Sequence, residues 1–160
     1  MNKGTDFKTV YDKYGEMLYR IAFVYLGNPD DTEDVLQDVF VSFLQNSAKL
    51  KNDEHEKAWL IRTTRNKCLN MLKSPARKSV DLDSIQITST DTDGDLQIDI
   101  IKQVIALPPK YKSAVILYYY NNYSVEEIAK ILKIGKSAVK MRLKRGRELL
   151  KLELEDYNNE

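Results

Sequence analysis

The sequence predicts an all-α protein made of two small helical domains joined by an acidic flexible linker. Three observations carry this expectation. Apolar residues recur at helical spacing on both sides of the middle of the chain. No segment alternates apolar and polar residues over more than a few positions, as a half-buried strand would; SIQITST comes closest and stands alone. Between the helical parts lies SVDLDSIQITSTDTDGDLQID, dense in Asp, Ser, Thr and Gly and without a helical apolar period. With 160 residues there is room for one ordinary domain or two small ones, and 42% hydrophobic content supplies their cores. The expected divisions are residues 1–75, a linker over 76–99, and residues 100–160.

The first helix is expected over Phe7 to Leu26, where Val10, Tyr14, Leu18, Ile21 and Tyr25 keep close to a 3.6-residue period. Gly27-Asn28-Pro29 breaks it, since proline cannot continue a helix. A second helix starts near Asp30 or Asp31 and runs to about Ala48, with Leu36, Val39, Phe40, Phe43 and Leu44 as its apolar stripe. A third runs from about Asp53 to Lys73 and stops before Ser74-Pro75. Beyond the linker, Ile100 to Leu107 forms a short helix ended by Pro108-Pro109. Pro109 then opens a helix reaching about Asn121. The remaining stretch, SVEEIAKILKIGKSAVKMRLKRGRELLKLELE, reads as two helices split by Lys133-Ile134-Gly135.

Composition excludes several classes. No apolar run approaches the roughly 18 residues of a membrane span, and the N-terminus lacks the apolar core of a secretory signal, so the expected location is the cytoplasm. One cysteine, Cys68, excludes an intramolecular disulfide and a Cys-rich zinc site; one histidine, His55, leaves no His pair for a metal. No nucleophile–base pair, metal cluster or phosphate loop supports an enzyme, and no cofactor is expected. The net charge of +1 hides strong segregation. Residues 1–79 sum to +2, residues 80–100 to −6 with six aspartates and no base, and residues 101–160 to +5. Such alternation suggests surfaces with different partners.

The C-terminal part has the spacing of a helix-turn-helix. Ser124 and Glu127 form a capping box. Ile128, Ala129 and Leu132 face one way, Ile134 falls in the turn, and Val139 with Leu143 continues the apolar face. Ala129 is small where two steeply crossing helices must approach. From Lys136 to Arg147 there are six bases and no acid, whereas solvated helices usually mix signs. Lys136, Ser137, Lys140, Met141 and Lys144 lie on the groove side; Arg142, Arg145 and Arg147 sit at the flanks, within reach of phosphates. The apolar pattern alone would suit an ordinary helical hairpin; the one-signed charge favours a DNA-binding helix.

The N-terminal part carries two contrasting strips. No base falls between Arg20 and Lys49, and acids near the start of the second helix complement its dipole. That account stops short of Asp38, about two turns in. Asp34, Gln37, Asp38 and Val41 form one polar strip opposite the apolar stripe, suited either to a basic protein surface or to plain solvation. From Arg62 to Lys78 there are six bases and no acid, with Arg62, Arg65 and Asn66 on one face and Ile61, Thr64, Cys68 and Leu72 on another. Trp59 reads as core rather than a base-stacking platform, Cys68 as a buried small hydrophobe, and His55 as exposed among acids.

DDTEDVLQDVFVSFL followed by EKAWLIRTTRNKCLNML resembles the second region of extracytoplasmic-function sigma factors, and LPPKYKSAVILYYYNNYSVEEIAKILKIGKSAVKMRLKRGRELL resembles their fourth. The resemblance covers most of the chain, in the right order and separation. It implies a promoter-specificity subunit of bacterial RNA polymerase rather than an enzyme. It also implies that Asp34, Gln37 and Asp38 dock on the β′ clamp helices and that the C-terminal domain meets the β flap. The loop matching Gln45 to Asn52 is where the family captures a flipped base of the −10 element, which costs a few kcal/mol of stacking; Asn46, Ser47, Lys49 and Asn52 could contact it. Arg62, Arg65 and Asn66 match the helix that meets the −10 region. Lys140, Met141, Lys144 and Arg145 match the positions that read the −35 duplex, and the acidic linker resembles one threading the RNA exit path. An anti-sigma factor is a further partner the family often uses.

Two departures stand out. The turn usually holds a glycine where this chain has Lys133, and a serine or similar cap where it has Gly135, so Lys133 is expected to need a left-handed backbone. Met141 offers a base edge only apolar contact, such as to a thymine methyl. A standalone helix-turn-helix regulator whose N-terminal helices dimerise is the alternative reading; it would bind duplex tightly without polymerase.

Overall fold

The computed structural model describes residues 7–74 and 95–150, which fall in two compact units divided between Val80 and Asp81. Every regular element among the described residues is helical, as expected. SIQITST, Arg77, Lys78 and most of the expected linker lie outside the described residues.

In the first unit, α1 (Phe7–Leu26) buries all five residues of the expected stripe: Val10, Tyr14, Leu18, Ile21 and Tyr25. It ends at Gly27, whose φ of 79° is a left-handed value that glycine adopts without steric penalty. Asn28 then caps α2 (Pro29–Asn46): its side-chain oxygen accepts from the Asp31 N–H at 2.9 Å. Pro29 occupies the first helical position, where no N–H is needed. Val35, Leu36, Val39, Phe40 and Phe43 are buried, but Leu44 is 45% exposed, contrary to the expected stripe. One residue step turns the helix about 100°, and the step from Phe43 carries Leu44 past the edge of the buried arc.

A 3₁₀ turn over Ser47–Lys49 leads to Asn52, whose side-chain oxygen accepts from the His55 N–H at 2.8 Å and caps α3 (Asp53–Lys73). α3 buries Leu60, Ile61, Thr64 and Cys68, and the Thr64 hydroxyl donates to the Leu60 carbonyl at 2.8 Å, so no hydroxyl is stranded in the core. α1 packs on both α2 and α3, and these pack on each other. Trp59 is half-buried and edge-on to Phe43, in the packing role expected of it. Lys13 meets Asp53 at 3.3 Å, and the Tyr14 hydroxyl donates to Glu56 at 3.1 Å, tying α1 to the start of α3.

In the second unit, α4 (Asp95–Ala106) begins inside the expected linker rather than at Ile100. The sequence shows why: Leu96, Ile100 and Val104 already keep a helical spacing that the neighbouring aspartates disguise, and acids suit a helix start. Pro109 opens α5 (Pro109–Val115) at its first position. The chain then winds as a π-helical turn over Ile116–Tyr120, closed by the Asn121 N–H donating to the Ile116 carbonyl at 3.2 Å. Ile116 and Leu117 are buried, and Tyr118, Tyr119 and Tyr120 face solvent.

α6 (Val125–Leu132) and α7 (Lys136–Leu149) complete the unit. Ile128, Ala129, Ile131, Val139 and Leu143 are buried; Leu132, expected on this face, is half-buried and Ile131 takes its place. α7 also packs on α5, and a side chain at Gly146 would place its Cβ 2.6 Å from Val115 Cγ2, so only glycine permits that approach.

Candidate nucleic-acid interface

Local chemistry builds the α6–turn–α7 unit. Both halves of the capping box form: the Glu127 N–H donates to Ser124 Oγ at 3.0 Å, and the Ser124 N–H donates to the Glu127 carboxylate at 2.9 Å. α6 ends at Lys133, with φ 60° and ψ 45°, the left-handed conformation expected for it. The Ile134 N–H then reaches back to the Ala129 carbonyl at 3.1 Å, the six-to-one bond of a Schellman ending. Gly135 caps α7 with extended backbone and no side-chain bond.

With Val139, Leu143 and Gly146 turned inward, α7 presents Ser137, Lys140, Met141, Lys144 and Arg145 to solvent. Met141 is 62% exposed, a large apolar side chain with no folding reason to stand there. Three of the basic groups have protein partners. Lys136 reaches Glu126 on α6 at 3.5 Å, Arg145 pairs with Glu148 at 3.1 Å, and Arg147 donates to the Tyr119 hydroxyl at 3.2 Å. The Glu148 bond, then Tyr111, pushes the Arg145 guanidinium above its usual range. Exposed pairs of this kind contribute little to stability, so they yield readily to a phosphate or a base edge. Arg142 is half-buried on the opposite flank.

The first unit carries the two strips on separate helices. Asp34, Gln37, Asp38 and Val41 are all exposed on α2, and Leu44 extends that strip by a further turn, giving it an apolar end that the sequence stripe had hidden. On α3, Asn66 is exposed while Arg62 and Arg65 are half-buried, and Arg65 donates to the Asn66 side chain at 3.3 Å. Burial pulls the Arg62 guanidinium below its ordinary value, though it stays charged. In the turn between α2 and α3, Lys49 is exposed. Asn46 donates to the Ser42 carbonyl at 2.8 Å, Ser47 ends α2, and Asn52 caps α3. His55 is half-buried rather than exposed, and its Nδ1 accepts the Lys51 N–H at 3.2 Å.

Two family models match these same two units: Sigma-70 region 2 over residues 10–78, and Sigma-70, region 4 over residues 98–150. Among curated relatives, the ECF RNA polymerase sigma factor SigW of Bacillus subtilis is 28% identical, with 94% of this chain and 89% of SigW covered. SigV of the same organism is also 28% identical, over 85% of this chain and 83% of its own length. The chain is an extracytoplasmic-function sigma factor.

A solved structure agrees with that assignment. The sigma factor RpoE of Bartonella quintana, determined in complex with the anti-sigma factor NepR, superposes with a TM-score of 0.74 at 26% identity, covering 94% of this chain and 97% of RpoE. CnrH, solved with the cytosolic domain of CnrY, shares the fold with a TM-score of 0.68. Within this sigma factor, region two holds the acidic strip, the α2–α3 turn and the basic face of α3, and region four holds the α7 face. Sequence reasoning missed Tyr119, Glu126 and Glu148, the groups bonded to the α7 bases. Their only signals were a run of three tyrosines and two acids outside the basic run. Among the described residues no helix is long and apolar enough to cross a membrane, and no cluster of three metal-ligating side chains occurs.

Proposed function

We propose that this sigma factor divides its work between its two units: region two grips core RNA polymerase and the −10 element, and region four reads the −35 duplex. The observation that carries the reading is the outward face of α7, where Lys140, Met141, Lys144 and Arg145 stand exposed on a helix whose partner helix is locked by a complete capping box. A recognition helix inserts such a face into the major groove, its amines and guanidinium bonding purine acceptors while Lys136, Ser137, Arg142 and Arg147 set the register on phosphates.

Asp34, Gln37 and Asp38 dock on the β′ clamp helices, and region four meets the β flap. Asn46, Ser47, Lys49 and Asn52 line the turn that takes a base extruded from the −10 element, with Arg62, Arg65 and Asn66 along the adjoining strand. The Asn46 side chain bonds back to the Ser42 carbonyl on α2, and that of Asn52 accepts from His55 on α3, so both ends of the turn are anchored before DNA arrives. Bond-making chemistry belongs to the polymerase; the sigma factor contributes placement, in the cytoplasm where polymerase and chromosome meet. An anti-sigma factor is a further partner, in keeping with the complex with NepR in which RpoE was solved.

Run-off transcription with core enzyme on a genomic library, followed by mapping of start sites, tests the whole reading. Lys140→Ala should lower use of the mapped promoters by about 1–3 kcal/mol if a base contact is lost, with core binding intact. Nanomolar, sequence-specific binding by the free protein, with no effect of core enzyme on start sites, would overturn it.

A further inference from the structure

Arg147 lies near the end of α7, on the flank of the face assigned to DNA, and α7 does not orient it alone. Its Nη1 donates to the Tyr119 hydroxyl at 3.2 Å, a contact between residues 28 apart in sequence. Tyr119 is itself braced by Tyr118, whose ring stands edge-on to it with centroids 5.0 Å apart. The π-helical winding over Ile116–Tyr120 accounts for this placement. Ile116 and Leu117 fill the core side of the wide turn, the following tyrosines come out on the surface, and Tyr119 among them reaches α7. π turns of this kind occur frequently at functional sites.

An exposed phenol–guanidinium bond adds little to folding. It does restrict an arginine side chain that would otherwise sample many rotamers. The donor count points the same way. A phenol oxygen that accepts from Arg147 still has its own O–H to donate, and the guanidinium keeps further N–H groups. Two unlike donors are therefore held side by side at the edge of the recognition helix, the arrangement that suits a phosphate oxygen.

We propose that Tyr119 and Arg147 form one composite phosphate contact at the edge of the duplex, with Tyr119 positioning the guanidinium and donating its own O–H. This rests on the reading of α7 as the duplex-binding helix. Tyr119→Phe removes only the hydroxyl, so the test is titration of the full chain against a labelled random-sequence duplex over a range of salt, starting low, where phosphate contacts are strongest. Arg147→Ala should lower the salt slope by about one and weaken binding equally on every sequence. Tyr119→Phe should lower both affinity and slope, and the double variant should lose less than the sum of the two single losses. Helix content and melting should stay unchanged throughout. If Tyr119→Phe leaves affinity and slope at wild-type values while Arg147→Ala lowers them, or if the two losses simply add, the composite contact is overturned. If Lys140→Ala, Arg147→Ala and Tyr119→Phe all leave duplex binding untouched, the duplex-binding reading of α7 falls with it.

Discussion

Lys133 holds a backbone conformation that most side chains avoid, and it does so in the turn between α6 and α7. An L-residue in the left-handed region crowds its Cβ against the following carbonyl, a strain of about 1–2 kcal/mol that glycine lacks. Lys133→Gly should therefore stabilise region four by about 1 kcal/mol, read as a higher midpoint in denaturant melts; an unchanged or lower midpoint would mean the lysine side chain offsets its own strain. This feature was legible through the family resemblance, because the family's turn usually holds a glycine where this chain has Lys133. The bond between Tyr119 and Arg147 was not legible. Nothing in the order of residues says that a tyrosine 28 positions earlier would lie beside that guanidinium. Leu44 shows the same limit: its type suggested burial, and its angular position on α2 exposed it.

Among the elements, local rules predicted those whose ends carry side-chain signals. Asn28, Asn52 and Ser124 each cap the helix that follows them, and Gly27 and Lys133 end the helices before them. Ser124→Ala removes one reciprocal bond of the capping box and should destabilise region four by about 1 kcal/mol, visible as a lower melting midpoint. Because α6 sets the angle of α7, promoter use should fall together with stability, whereas Lys140→Ala should affect promoter use alone. Where the end signals are weak, the boundaries moved. α4 starts at Asp95 because its apolar spacing extends into the aspartate-rich stretch, and α5 changes to π winding at Ile116 although no residue there announces it. A single wide turn is a compromise between burying Ile116 with Leu117 and leaving the tyrosines at the surface, and a compromise with distant residues leaves no local mark.

For the whole molecule, the division into two units predicts that its two kinds of binding separate. Gln37→Ala combined with Asp38→Lys should abolish or sharply weaken co-purification with core polymerase, while salt-dependent binding to duplex DNA through α7 persists. Lys140→Ala should do the reverse. Unchanged co-purification after the double change would refute the clamp assignment, and simultaneous loss of both activities would refute the separation. What the chain's letters settled alone was the helical class, the order of the helices, the helix-turn-helix and the one-signed faces of α2 and α7, all of which follow from spacing and end signals within about ten residues. Tertiary structure decided which of those faces stay open and which charged groups have partners, including Lys136 with Glu126 on another helix and Arg147 with Tyr119. The reason is physical: periodicity is a local property of a helix, whereas exposure and pairing depend on the helix that packs against it.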